Sequence, residues 1–440
     1  MDAVIDLLNT ILWGYVLVYG LLAVGVYFTL RLRFLQIIHF PEMVRNVTGA
    51  KRVDRSGISP FQALCTSLAS RVGTGNIAGV AVALTLGGPG AIFWMWMVAA
   101  LGMATAFAES TLAQLYKVRD AEGRYRGGPA FYIARGLRAP WAGGIFSACL
   151  ILSFGLVFNA VQANSIADAM EGAFGLPKLV TGLAVAAVAG LIIFGGITTI
   201  ARAAEVIVPV MALSYIAVAL YTVAINITEV PSMLALIVRS AFGLEPATGG
   251  IAGSMAAAML NGVKRGLFSN EAGMGSAPNI AAVATPDPHH PASQGFVQAL
   301  GVFIDTLVIC TATALLILLS GVLQTGTEAN GTQLTQEALT VHIGAAGPYF
   351  VAIAVLFFAF TSIIGNYAYA ENALTFLRLD RRAGLVALRL GVLAMVIWGA
   401  METVATVFNA ADASMGLMAT INLVAILLLS GLVVRVARDY

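Results

Sequence analysis

The sequence predicts an all-α integral membrane protein with eleven transmembrane helices. Spans two to eleven form a five-plus-five inverted-repeat core, and one peripheral N-terminal helix stands beside it. Three observations carry this. The 440 residues are 59% hydrophobic and only 10% charged, too few charges to cover a soluble protein of this size. Apolar segments of crossing length recur along the chain, with the basic residues gathered in alternate connections. Two of these segments hold small and polar residues at their middle.

Roughly 20 apolar residues cross a hydrocarbon core of about 30 Å. The spans read 7–30, 61–86, 91–115, 144–170, 179–197, 203–225, 249–281, 296–323, 348–377, 385–401 and 411–434. The first is a retained span and no cleavable signal, because Asp2 and Asp6 stand where a basic leader would be. Residues 1–56 comprise this helix and a basic loop, 57–228 the first repeat (spans two to six) and 249–440 the second (spans seven to eleven). Between the repeats, in the connection 229–248, Val230 to Phe242 reads as a short amphipathic helix on the membrane or over a vestibule. The stretch 325–343 reads as a polar loop with a short helix.

Basic residues set the orientation. With the N-terminus outside, nineteen of the 24 Lys and Arg fall in inner segments and two, Lys178 and Arg239, in outer ones. Arg71, Lys264 and Arg265 lie within spans. The expectation is a multi-pass protein of the cell (inner or plasma) membrane, N-terminus outside and C-terminus cytoplasmic.

With a net charge of +2, the balance argues against disorder and against a phosphate-binding footprint, so no nucleic-acid partner is expected. Cys65, Cys149 and Cys310 lie in apolar stretches and read as buried thiols without metal spacing. His39, His289, His290 and His342 lie between the spans, and no HExxH occurs. A membrane-embedded enzyme is therefore a remote reading, a channel another, and no organic cofactor is expected.

Span two, FQALCTSLASRVGTGNIAGVAVALTL, and span seven, GGIAGSMAAAMLNGVKRGLFSNEAGMGSAPNIA, are longer than a straight crossing needs. Gly73 and Gly75 flank Thr74; Gly262, Gly266, Gly273 and Gly275 precede Pro278. Such residues let a helix unwind at mid-membrane, or alternatively let helices pack closely. Freed N–H and C=O groups must face a cavity or ligand, as in secondary transporters. Arg71-x4-Asn76-x-Ala78-Gly79 echoes Arg265-x4-Asn270-x-Ala272-Gly273, and Asn159 more weakly echoes Asn366. Second against seventh span is the separation two inverted five-helix repeats would give.

Charges inside the bilayer cost about 2.5–3.5 kcal/mol each and need partners or water. Glu109, Asp305, Glu271, Glu371, Arg71, Lys264 and Arg265 are such residues. Glu271 lies near Lys264 and Arg265 along the chain, with Arg71 in the equivalent place of the other helix; structural ion pairs between the two interrupted helices, or gating pairs at the cytoplasmic vestibule, are expected, with direct proton relay as the alternative. Glu109 and Asp305 are supports or coupling groups. Thr361 and Ser362 can offer oxygen to an alkali cation or bond back to their own helix. Gln162, Asn164 and Asn366 are further polar groups in the spans.

At GTGNIAGVAVALTLGGPGAIFWMWMVAALGMATAFAES, GVKRGLFSNEAGMGSAPN, RGGPAFYI (126–133) and GVFIDTLVICTATAL (301–315), the chain resembles the alanine or glycine:cation symporter family, of the amino acid–polyamine–cation superfamily. The likeness covers nearly the whole chain. It implies sodium-coupled uptake of a small neutral amino acid of the alanine/glycine class by alternating access, in a protein working as a monomer in the bilayer. By motif match, Gly73, Thr74, Gly75 and Asn76 meet the substrate's backbone-like part and Gln162 its polar groups. Phe268, Ser269, Asn270 and Met274 line the opposite wall. Na⁺, the co-transported ion, lies between carbonyls near Ser70 and Gly73 and the hydroxyls of Thr361 and Ser362. Many members carry Trp where Asn366 stands and Lys where Ala106 stands. The first change enlarges the pocket and adds an amide, which admits serine or glutamine; proton coupling through Asp305, Glu109 or Glu271 is the other alternative.

Overall fold

A computed structural model describes residues 2–48, 57–194, 197–244, 250–286, 289–324 and 329–440. Among them, eight helices are long and apolar enough to cross a membrane: Ala3–Arg31, Gly90–Leu115, Pro140–Phe174, Glu205–Ile225, Pro291–Ser320, Ala346–Phe376, Arg382–Met401 and Val404–Leu428. Lys178–Ile193 is apolar but shorter. The remaining two segments expected to cross, spans two and seven, are helices interrupted partway. Lys51, Arg52 and Arg55, which enter the orientation argument, lie outside the described residues, as do residue 56 and residues 248 and 249 at two of the expected boundaries.

The outer helices keep large apolar side chains exposed, with Leu191 81% and Leu213 67% open. Only lipid can cover such a surface without cost. The inner helices are polar where they meet one another, and close approach through glycine explains much of their composition. A Cβ on Gly262 would stand 2.3 Å from the Ala91 carbonyl oxygen, and one on Gly266 would stand 2.7 Å from Val98. These two glycines pack the helix Gly250–Asn270 against Gly90–Leu115, where the sequence reading had them among the unwinding residues; unwinding uses Gly273 and Gly275.

The first helix is held to the core at its sides. The Trp13 indole donates to the Asp412 carbonyl at 3.0 Å, and Leu12 and Leu17 lie against Gly416. Val230–Ala241 is a helix that packs on the core through buried Ile237 and Ala241, with Ser240 and Ala241 against Gly90. Residues 325–328 are outside the described set, but Thr332–Ile343 is a helix with Leu334, Ala338 and Leu339 buried. Gln336 donates from it to the Ala169 carbonyl at 2.9 Å. After Leu115 comes an unforeseen two-stranded hairpin, Val118–Arg119 with Tyr125–Arg126.

Candidate functional site

The first interrupted helix starts with a capping box. The Gln62 N–H donates to Ser59 Oγ at 3.1 Å, and the Ser59 N–H to Gln62 Oε1 at 3.1 Å. Pro60–Arg71 is α-helical, the chain opens at Val72 and Gly73, and winding resumes through a π-helical turn, Gly75–Gly79, into Val80–Gly87. Opening frees N–H groups that side chains then satisfy. The Gly73 N–H donates to Asn76 Oδ1 at 3.0 Å and the Thr74 N–H to Gln162 Oε1 at 3.0 Å. Gln162 is thus beside the break, as expected, while the Asn76 amide is spent on protein partners and acts through Gly73.

The second interrupted helix, Gly250–Asn270, ends in an irregular stretch before the single turn Pro278–Ala281. Glu271 (φ +57), Gly273 (φ +90) and Gly275 (φ +84) have left-handed backbone. For a glutamate that conformation is strained, the kind of strain that gathers at functional sites. The Ala272 N–H donates to Asn270 Oδ1 at 2.9 Å. Glu109 receives the Gly273 N–H at 3.3 Å and the Asn422 amide at 2.8 Å, and the same Asn422 nitrogen reaches the Gly273 carbonyl at 2.9 Å. Tyr132 donates to Asn422 Oδ1. Glu109 therefore buttresses the unwound backbone, and Met274 lies buried within that stretch.

Asp305 joins the two breaks. One oxygen accepts from Asn76 Nδ2 at 2.7 Å, the other from Ser269 Oγ and Thr306 Oγ1, both at 2.7 Å. Arg71, 2% exposed, donates to the Gln298 carbonyl at 3.2 Å. Its charge acts on Glu109, Glu271 and Asp305 together. Among the described residues, both interrupted helices carry buried polar atoms with no protein partner: Arg71 Nε and Nη2 and Thr74 Oγ1 on the first, Arg265 Nε and Nη1 and Asn270 Nδ2 on the second. Of these, Thr74 and Asn270 are the uncharged groups at the breaks.

The residues expected around a cation also converge. A Cβ on Gly73 would stand 2.3 Å from Ser362 Oγ and 2.7 Å from Gln162 Oε1. Ser362 Oγ lies 2.9 Å from the Ala69 carbonyl and 3.0 Å from the Phe358 carbonyl of its own helix, two acceptors for one hydroxyl hydrogen, and Thr361 donates to Phe358 at 2.9 Å. Both hydroxyls bond back, yet each keeps oxygen lone pairs, and Ser362 holds them against the break. Ser70 Oγ contacts Asn366 Oδ1 at 2.6 Å and Glu271 Oε1 at 2.9 Å. The Asn366 nitrogen donates to Asn159 Oδ1 at 3.1 Å, so the weakly echoing asparagines touch. Ser276 also donates to Glu271.

Charge pairing differs from the expectation of ion pairs between the two interrupted helices: the partner of Lys264 and Arg265 is neither Glu271, near them in the chain, nor the other interrupted helix. Arg265 donates to both oxygens of Asp412, and Lys264 lies 3.5 Å from the same carboxylate. The reason is direction: Glu271 follows the helix end and faces Ser70 and Ser276, while Arg265 lies more than a turn earlier. The Arg265 guanidinium sits 4.8 Å over the Phe408 ring. Phe268 stacks on Phe158 at 4.7 Å and meets Phe408 at 5.3 Å, and it borders Gly75. Charged pair and aromatic trio close one side of the breaks.

The other side is closed by connections. Arg126 lies 3.0 Å from Asp120 and 3.4 Å from Glu371, and Asn372 donates to the Gly127 carbonyl and Asn279 Oδ1, both at 2.6 Å. Burial alone would raise the Asp120 carboxyl, but the Arg124 N–H and the Arg126 guanidinium hold it below its ordinary value. Asp412, Asn422 and Tyr132 escaped the sequence reading. An acid inside the predicted span 411–434 was the available signal for Asp412; nothing local marks the other two.

The model of the sodium:alanine symporter family matches residues 1–440. A probable sodium/glutamine symporter, GlnT, of Bacillus subtilis is 50% identical over 100% of this chain and 91% of its own length. The amino-acid carrier protein AlsT of the same organism is 49% identical, covering 100% and 92%. The sodium/alanine symporter AgcS of Methanococcus maripaludis is 39% identical, covering 100% and 97%.

Proposed function

The chain belongs to the sodium:alanine symporter family and is a cation-coupled amino-acid transporter, not an enzyme; on that premise we propose that it takes up a small neutral amino acid with Na⁺ by alternating access. The single observation that carries this reading is the meeting of two interrupted helices through Asp305, with an unpartnered polar atom on each. In the proposed arrangement, eleven helices cross the cell membrane with the N-terminus outside. Residues 57–228 and 249–440 are inverted repeats, and the transporter works as a monomer.

The amino acid lies between Gly73–Gly75 and Phe268–Asn270. Asn270 Nδ2 donates to its carboxylate, Thr74 Oγ1 meets its carboxylate or amine, and Gln162 and Asn76 keep the opened backbone in place. Na⁺ lies against carbonyls near Ser70 and Gly73 with Thr361 and Ser362, neutral oxygens that suit a hard monovalent ion. Arg265–Asp412 with Phe268 is the outer closure, and Arg126–Glu371 with Asn372 the inner one. One cation crossing 100 mV contributes about 2.3 kcal/mol, roughly 40-fold accumulation at 1.4 kcal/mol per decade. In proteoliposomes, alanine, serine and glutamine uptake is expected to require an inward Na⁺ gradient, and competition among the three ranks them. Uptake indifferent to both Na⁺ and pH gradients would refute coupling.

Proton coupling is a second reading, favoured by the hydrogen count at Ser70. Its one hydroxyl hydrogen faces two acceptors, Asn366 Oδ1 and Glu271 Oε1. Asn366 cannot turn its amide, because its nitrogen serves Asn159, which in turn donates to the Phe154 and Gly155 carbonyls. A proton on Glu271 completes the set. Replacing Na⁺ by choline under a pH gradient separates the readings: uptake that persists belongs to protons.

A further inference from the structure

We propose that the face carrying the C-terminus holds a dedicated site for the head group of an anionic phospholipid. A cavity of about 360 Å³ lies where the first helix, the short helix Phe40–Thr48 and the last helix, Ser430–Asp439, meet. Four guanidinium groups, Arg31, Arg33, Arg45 and Arg438, line it together with His39. Its one side-chain carboxylate, Glu42, is engaged by Arg45 at 2.9 Å and by the Tyr440 hydroxyl at 2.7 Å. Arg31, Arg33 and Arg438 have no carboxylate partner among the described residues. The cavity is large enough for a small ligand, and its unneutralised charge selects an anion.

Two features make that anion a lipid phosphate. Arg31 is the last residue of a membrane-crossing helix, so the cavity opens at the level of the head groups. Next to the arginines, Leu30 (59%), Phe34 (46%), Ile37 (70%) and Ile38 (62%) are exposed, an apolar strip on which acyl chains can lie. A basic pocket bordered by an apolar strip is the pattern of an anionic-lipid site. The bend is itself built with care: Arg33 and Phe34 both have left-handed backbone, φ +55 and +57, unfavourable for residues bearing a Cβ. The floor is Phe296, which touches the Tyr440 ring at 5.3 Å. A bound head group would thus tie the first helix and the C-terminus to the core helix Pro291–Ser320.

Native mass spectrometry and thermal unfolding of the full-length detergent-purified protein test this, with phosphatidylglycerol, phosphatidylcholine or inorganic phosphate added. Phosphatidylglycerol is expected to stay bound and raise the unfolding temperature, with the other two without effect. The double variant R33Q/R438Q should bind it about 30-fold more weakly, from roughly five-fold per guanidinium. R381Q/R382Q, which removes exposed charge elsewhere, should bind it as the parent does. Gel filtration establishes that both variants are folded. Equal stabilisation by inorganic phosphate, unchanged lipid binding by R33Q/R438Q, or equal loss in R381Q/R382Q would overturn the proposal.

Discussion

Gly73→Ala puts the proposed site under the most direct strain. The added Cβ would stand 2.3 Å from Ser362 Oγ and 2.7 Å from Gln162 Oε1, both far inside van der Waals contact. Neither neighbour moves freely, because Ser362 is bonded to the Ala69 and Phe358 carbonyls and Gln162 receives the Thr74 N–H. Pushing Ser362 off Ala69 forfeits a hydrogen bond of about 0.5–1.5 kcal/mol. Overpacking adds about 1–3 kcal/mol. A state in which the helices separate can relax, but the closed, loaded state cannot, so the cost falls on binding. About 2–4 kcal/mol corresponds to roughly 30- to 700-fold weaker amino-acid affinity. Gly79→Ala is the internal control: on the same interrupted helix, its Cβ would meet nothing nearer than the Thr74 carbonyl oxygen at 3.7 Å. The assay is amino-acid affinity from ligand-induced thermal stabilisation with and without Na⁺, beside uptake into proteoliposomes. Parental affinity in the Gly73 variant, or equal damage in both, would refute the placement of the site.

Asp412→Ala leaves Arg265 buried and uncompensated, so stability should fall by about 3–5 kcal/mol, read as a lowered unfolding temperature. Asp412→Asn keeps a hydrogen-bonding partner and should fold better while weakening the proposed closure around Phe268 and Phe408, seen as increased labelling of a cysteine placed near Phe408. Asp305→Ala severs Asn76 from Ser269 and should abolish uptake; Asp305→Asn, with one acceptor oxygen remaining, should keep part of it, and equal loss in both would point to the charge instead of the bridge. For Asp120, whose carboxyl is held below its ordinary value of 3.8, the contribution is full above that value and lost as pH falls through the lowered one. Asp120→Asn should therefore destabilise the hairpin at pH 7, by under about 1 kcal/mol because solvent screens these charges, and flatten the acid limb of a stability profile.

What was legible in the sequence was what depends on neighbours along the chain. Gly73, Thr74 and Gly75 in an apolar run mark an opening because an unwound segment needs small residues and local caps. The same logic named Gly273 and Gly275, though together with Gly262 and Gly266. Lipid-facing helices announce themselves by composition alone. Partner choice was not legible: Arg265 and Asp412 are 147 positions apart, and Asn422 is 313 from Glu109. Glu271 is near Arg265 along the chain, yet the ion pair of Arg265 is to Asp412 on another helix. Gly262 and Gly266 look like Gly273 and Gly275 on paper, and only the neighbouring helix tells packing from unwinding. The hairpin around Asp120 has strands of two residues each, too short for a periodic signal.

The echo between the interrupted helices has a physical content that its alignment conceals. Matching Arg71 to Arg265 and Asn76 to Asn270 does not superpose the breaks. In the first helix Arg71 is the last helical residue and Asn76 follows the opening. In the second, Asn270 is itself the last helical residue and Arg265 stands more than a turn before it. Yet each asparagine does the same work. Asn76 Oδ1 receives the N–H three residues back, and Asn270 Oδ1 the N–H two residues on. One amide caps its break from the far side, the other from the near side. The arginines are consequently free to diverge: Arg71 stays among the carboxylates that join the two helices, while Arg265 is carried to Asp412 and the aromatic closure. If the two segments are copies of one repeat, as proposed, the break has shifted by several residues along one of them: Arg71 ends its helix at the opening, whereas Arg265 lies more than a turn before its own, beside Asp412.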